Sequence, residues 1–259
     1  MKWVFAVLAA AALAFCALPI VAIFARVSPG TLINELGDPV ARDALVVSLK
    51  TSAYAQALIV IAGTPTAYLI ATRRFRGRSL VLTLFELPLV LPPAVAGIGL
   101  LAAFGRTGLI STSYAFTQTA VVLAVAFVAA PFYVRTGVSA FEAVDPTLVD
   151  AARTLGARPW RVFLRVALPL ARGGLAAGLA LSIARGLGEF GATIMFAGSL
   201  QGVTQTLPLA IYAEFEQSFD VALAVGGMLV AFSFVLLLAV KWLRFGWISP
   251  FRFATSLSA

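Results

Sequence analysis

The sequence contains no histidine and only one cysteine, Cys16. Without histidine there is no HExxH zinc site and no His-dependent nucleophilic triad. A lone cysteine excludes an intrachain disulfide framework, and the apolar flanks of Cys16 predict a buried structural residue rather than a reactive thiol. Charge is scarce as well, at 12% of residues, where soluble domains carry about 25%. The only lysines are Lys2, Lys50 and Lys241, and none stands in a GxxxxGK[ST] arrangement, so the chain has no phosphate-binding loop of its own. No internal repeat is evident, which weighs against a secondary transporter built from symmetric halves.

What the chain has in excess is apolar surface. Hydrophobic residues make up 61% of its 259 residues and mean hydropathy is +0.99, values that place it in a bilayer. The net charge of +8 is therefore read through membrane topology rather than nucleic-acid binding. Apolar stretches long enough to cross about 30 Å of hydrocarbon fall near 3–25, 45–71, 80–104, 118–138, 174–196 and 221–243. The amino-terminal run from about Trp3 to Phe24 exceeds the ~7–15 residues of a signal-peptide core, and Phe15 is too bulky for lipoprotein processing at Cys16. The run is expected to remain as a first span, which gives one six-span domain over 1–259.

Basic residues set the expected orientation. With the amino terminus inside, inner segments hold fourteen of the 19 Lys and Arg residues and outer segments four, with Arg185 left inside a span. Both termini are thus expected to be cytoplasmic. Glu35, Asp38, Asp43, Glu214, Glu216 and Asp220 fall outside, and acids contribute little to orientation.

Residues 139–173 form a long inner loop. Asp145 has the chemistry of an N-cap and Pro146 suits a first helical position, so a helix should run to about Leu155 and stop at Gly156. A second short helix should run from Pro159 to about Ala167. Ala151 and Ala152 are small enough for close approach by a partner, as in helix-in-groove recognition. By composition alone, the same loop could be an amphipathic surface segment resting at lipid headgroups.

The detailed pattern decides between these. Asp150-Ala151-Ala152, Gly156 after three more residues, then Val166-Ala167-Leu168-Pro169 resembles the cytoplasmic signature of permease subunits of binding-protein-dependent, ATP-driven importers: Glu-Ala-Ala, three residues, Gly, nine residues, Ile-x-Leu-Pro. Asp stands for Glu and Val for Ile here. The resemblance implies an all-α integral membrane protein with six transmembrane helices, a type I ABC importer permease-like (MetI-like) bundle. It also implies that Asp150, Ala151, Ala152, Leu155, Gly156, Ala157 and Arg158, with Leu168 and Pro169, form the coupling loop that docks on a separate ATPase. On this reading the chain is no enzyme and carries no cofactor; ATP and Mg belong to the partner. One docking loop per chain and two ATPases per importer imply a homodimer, an extracytoplasmic binding protein completes the assembly, and its place is the bacterial or archaeal plasma membrane.

LPLVLPPAVAGIGLL (87–101) and ARGLGEFGATIMFAGSLQGVTQTLPLAIY (184–212) are similar to the molybdate and tungstate permeases, with the sulfate permeases as relatives. The implied function is translocation of an oxyanion, most plausibly molybdate or tungstate, by alternating access; sulfate or thiosulfate is the alternative cargo. An intramembrane enzyme is disfavoured. Gly186-Leu187-Gly188-Glu189 has Glu where membrane aspartyl proteases need Asp, and no second carboxylate is suitably placed.

Arg185 falls near the middle of the fifth expected span, where a charge costs at least ~2.5–3.5 kcal/mol and should face the bundle interior or water. Glu189 lies one turn on and can neutralise it, and Glu86 in the third span is a second candidate partner. Ser182, Gly188, Gly191 and Thr193 give the same span a small, polar face. Two readings stand: these residues lock helices together, or with Arg185, Glu189 and Glu86 they line the translocation path. Pro88, Pro92 and Pro93 should bend the third span. In the outer segment, Gln201, Thr204, Gln205 and Thr206 are candidate contacts for the binding protein.

Overall fold

A computed structural model of the chain describes residues 2–27, 30, 37–110 and 113–248; Glu35, named above, and Arg252, one of the fourteen inner basic residues, lie outside the described residues. The described chain is helical throughout. Helix α1 (Lys2–Arg26) and α2 (Pro39–Thr72) are followed by a short basic turn and by α3 (Arg78–Val90) and α4 (Pro93–Phe104). Helix α5 (Gln118–Glu142) leads into the short helices α6 (Pro146–Thr154) and α7 (Pro159–Val162). A π-helical turn, Phe163–Ala167, joins α7 to α8 (Leu168–Leu187), and α9 (Gly191–Ala197), α10 (Leu207–Phe215) and α11 (Phe219–Ile248) complete the chain.

Five of these helical runs are long and apolar enough to cross a membrane, and the α3–α4 pair makes a sixth if it counts as one broken span. That pair bends by 115° at Leu91-Pro92, where consecutive prolines remove the N–H groups an unbroken helix would need. Caps fix the ends of the longer helices. Asp38 accepts a hydrogen bond from the Val40 N–H at 2.7 Å, with Pro39 in the first helical position. Thr117 caps α5 through the Ala120 N–H.

Helix α5 is the centre of the bundle, packed between α2 and α8. Small residues allow the close approach. A Cβ on Gly63 would lie 2.9 Å from the Tyr133 ring, and one on Gly174 would lie 2.4 Å from the Ala140 methyl. In hydrocarbon, such van der Waals contact and interhelical hydrogen bonds drive association, because lipid tails are as apolar as leucine. The buried Tyr133 phenol donates to Thr64 Oγ1 at 2.7 Å, while the Thr64 hydroxyl donates to the Val60 carbonyl.

Helix α1 departs from one expectation. None of its residues is buried, and Cys16 is exposed rather than enclosed. The helix is apolar on every face, and among the described residues only α11 packs appreciably against it.

Candidate functional site

The inner loop folds into an elbow of two short helices. Asp145 Oδ1 accepts from the Thr147 backbone N–H at 2.9 Å and from its hydroxyl at 2.8 Å. These bonds, the backbone one first, hold the carboxyl below the usual carboxylate range. At the other end of α6, Gly156 adopts φ +81°; its N–H bonds to the Arg153 carbonyl, and the Ala157 N–H bonds to the Ala152 carbonyl. This is a Schellman stop, which needs the left-handed conformation that glycine adopts without strain. Asp150 pairs with Arg153 at 3.0 Å on the exposed surface. Ala151, Leu155 and Arg158 are exposed, and Leu155 at 88% has almost no cover. Ala152 and Ala157 are half-buried.

Beyond Arg158 the chain does not pause before re-entering the bundle. One helical run extends from Pro159 to Leu187, 29 residues or about 43 Å at 1.5 Å per residue. It passes through Leu168 and Pro169, where sequence reasoning placed the end of the loop. The π turn explains how a proline is accommodated: its ring would clash with the carbonyl four residues back, at Arg165, and a widened turn gives it room. Leu168 N–H accordingly bonds to Phe163, five residues back.

The far end of this lever departs from the expected continuous helix over 174–196. Helix α8 stops at Leu187 and α9 begins at Gly191, with Gly188, Glu189 and Phe190 between them. Arg185 Nη2 and Glu189 Oε2 meet at 2.8 Å across this break, and the Glu189 side chain is 1% exposed. The second oxygen of Glu189 accepts the Ala192 N–H at 2.7 Å. One carboxylate thus binds the guanidinium at the end of α8 and an otherwise unpaired N–H at the start of α9, where negative charge is favoured. The Arg185 side chain keeps 29% of its surface exposed, and beside it Gly188 faces open space.

The two breaks lie against each other. A Cβ on Gly191 would lie 2.8 Å from Pro93 Cβ, and one on Gly97 would lie 2.6 Å from the Ala192 carbonyl. The α3–α4 bend and the α8–α9 joint are therefore in direct contact through glycine and proline. Glu86, considered above as a partner for Arg185, faces Arg135 at 3.6 Å instead; it sits on α3, before the bend. Arg78 is likewise paired, with Glu142.

A polar seam that sequence reasoning missed runs along α2. The buried Ser182 hydroxyl donates to Gln56 Oε1 at 2.9 Å, and Gln56 Nε2 has no partner among the described residues. Ser48 Oγ accepts the Leu207 N–H at 2.8 Å, tying the outer segment to α2. The available signal was the run of polar residues Ser48, Thr51, Ser52 and Gln56 in an apolar stretch. Thr193 is fully buried and its hydroxyl has no partner among the described residues. In the outer segment Thr204, Gln205 and Thr206 are buried, and Thr204 Oγ1 accepts the Leu200 N–H. Leu200, Gln201 and Val203 are exposed instead, with Gln201 reaching Asp43 at 3.4 Å. No group of three metal-ligating side chains occurs among the described residues.

Residues 63–248 match the family of binding-protein-dependent transport system inner membrane components. The chain belongs to that family: it is a multi-pass membrane permease subunit. Curated relatives narrow the comparison. The molybdenum transport system permease protein ModB of Mycobacterium tuberculosis is 43% identical over 246 residues, covering 92% of this chain and 93% of the relative. That of Escherichia coli K12 is 39% identical over 212 residues, covering 77% and 92%. Among solved structures, a bacterial ABC transporter involved in alginate import superimposes with a TM-score of 0.75 at 16% identity, covering 95% of this chain and 96% of that one. The MetNI methionine transporter in an inward-facing form gives 0.62 at 19%, covering 80% and 94%. At these identities the superpositions speak for the fold.

Proposed function

We propose that the chain is the membrane subunit of an ATP-driven importer of molybdate or tungstate, working as a homodimer with two ATP-binding subunits beneath it and an oxyanion-binding protein outside. The observation that carries this reading is the unbroken helical run from the elbow at Pro159 to the Arg185–Glu189 joint. Movement of α6 in a cleft of the ATPase is delivered, along one rigid element, to the place where a membrane helix is already broken. The exposed Leu155 and the alanines around it provide the apolar contact for that cleft. The orientation that puts the elbow in the cytoplasm puts both termini there too.

In this mechanism the loaded binding protein docks outside, ATP draws the two ATPases together, and the elbows follow. The paired breaks at Leu91-Pro92 and Gly188–Phe190 then change which side the path faces. Arg185 borders that path. Its partly exposed guanidinium has donors beyond the one given to Glu189, enough to attract a dianion in passing without holding it, as conduction requires. The identity of the cargo rests on the molybdenum permeases that the chain resembles over nearly its full length.

The test is uptake by proteoliposomes containing the permease, its ATPase and its binding protein. ATP-dependent accumulation of molybdate, unaffected by excess sulfate, is the expected result. Uptake by the permease alone, driven by a proton gradient, would overturn the proposal. Preferential sulfate uptake would reassign the cargo.

A further inference from the structure

We propose that the end of α2 and the elbow together form a binding site for one anionic diacyl phospholipid, with Arg73 holding the headgroup between two clefts, the smaller apolar and the larger of mixed lining. The site adjoins the coupling loop, sharing Ala157 with it, and does not depend on the identity of the cargo.

Arg73 follows directly on Thr72, the last residue of α2, where that span leaves the hydrocarbon. Its guanidinium has no hydrogen-bond or ion-pair partner among the described residues, and neither have those of Arg74 and Arg76 beside it. By contrast, Arg78 is neutralised by Glu142. Two clefts flank Arg73. One, about 660 Å³, lies between α2 and the elbow and is lined by Tyr68, Leu69 and Phe163 together with Arg73, Arg153 and Trp160. The other, about 370 Å³, lies on the α3 side and is lined by Leu69, Ile70, Phe75 and Val81 besides Arg73.

Leu69 and Arg73 line both clefts. They are four residues apart at the end of one helix, so they form a ridge with a greasy lower part and a cationic crest. This geometry matches a glycerophospholipid, whose single negative headgroup sits above two chains. The larger cleft reaches down to Pro65, eight residues or about 12 Å along the axis from Arg73, deep enough for the upper part of an acyl chain. No carboxylate lines either cleft. Arg153 adds a second positive charge to the larger cleft, although one of its nitrogens is committed to Asp150 at 3.0 Å. Trp160, 53% exposed and with the Arg161 guanidinium 5.3 Å from its ring, has the amphipathic character typical of residues at headgroup depth. A soluble phosphate would leave the apolar surface of both clefts uncovered, and a neutral lipid would leave the arginines unmatched.

The assembled importer, permease with ATPase, can be titrated in detergent with phosphatidylglycerol and phosphatidylcholine of the same chains. Retained lipid is then counted by native mass spectrometry. Phosphatidylglycerol should be retained preferentially, one molecule per permease. Arg73→Gln should lower that preference about fivefold, the ratio expected for one arginine near an anionic surface. Leu69→Trp, which fills the clefts, should reduce retention of both lipids. Circular dichroism and intact ATPase association check that each variant is folded. Equal retention of the two lipids, or a preference untouched by Arg73→Gln, would overturn the site. Displacement by glycerol phosphate at matching concentration would show that the headgroup alone is recognised and would refute the diacyl assignment. Retention by the isolated permease but not by the complex would give the clefts to the ATPase instead.

Discussion

Glu189 holds two elements with its two oxygens, and that makes the consequences of losing its charge specific. Glu189→Gln keeps an acceptor for the Ala192 N–H but leaves Arg185 without its counter-ion. Removing one member of a fully buried pair costs about 3–5 kcal/mol; since Arg185 is 29% exposed, the expected loss here is about 1–3 kcal/mol, read from thermal unfolding of the detergent-solubilised protein. The double variant Arg185→Gln/Glu189→Gln should recover part of that loss, because no uncompensated charge remains. Arg185→Gln alone should reduce transport more than membrane insertion, measured side by side in the same membranes. Equal losses would leave the pair with a purely structural role. That Arg185 and Glu189 could meet was legible from their spacing. The Gln56–Ser182 bond was not, because its partners are 126 residues apart and nothing local in either helix announces the other.

Among the elements, the contact between the two broken spans is the most constrained. A methyl on Gly97 would meet the Ala192 carbonyl at 2.6 Å and Met195 Cβ at 2.7 Å, and backbone cannot yield as a flexible side chain can. Gly97→Ala should therefore destabilise the fold by about 1–3 kcal/mol. Gly99→Ala, with nothing within 4 Å, should stay within about 0.5 kcal/mol; denaturation of the two proteins in parallel checks both. The elbow offers a pH test. Hydrogen bonds from Thr147 lower the Asp145 pKa in the folded chain, so its capping contribution is complete above the unfolded value and is lost as pH falls through the folded one. The protection of the Thr147 amide, its exchange rate relative to that of an unstructured amide at the same pH, should accordingly be full at neutral pH and fall below the ordinary carboxylate range. The elbow was readable because Asp145, Pro146, Gly156 and Pro159 are local signals with local effects. The bend at Leu91-Pro92 was readable for the same reason. The stop at Leu187 was not: Gly188, Glu189 and Phe190 sit in an apolar run without a proline, and the break depends on Glu189 capping the next helix. Burial of Thr204, Gln205 and Thr206 was equally hidden, since it arises from the Ser48–Leu207 bond to a distant helix.

At the scale of the whole molecule, the proposed function makes a prediction about the composition of the assembly, because each chain offers one elbow. The complex formed with its ATPase should contain two permease copies and two ATPases, which the mass of the detergent-free particle will show; a single permease copy per particle would refute the homodimer. The α1 helix, with no buried residue of its own, contributes apolar surface to whatever surrounds it and little to the packing of the chain that carries it. The π turn at Phe163–Ala167 has a different reach. It contains one residue more than an ordinary helical turn would need, so it fixes the angular phase between the elbow and the Arg185 joint. Deleting one residue there would restore regular winding with little rotation, whereas deleting one from the regular part of α8 would rotate everything on one side against the other by about 100°. A shortening of the second kind, which leaves every cap intact, would thus aim the same push at a different wall of the bundle.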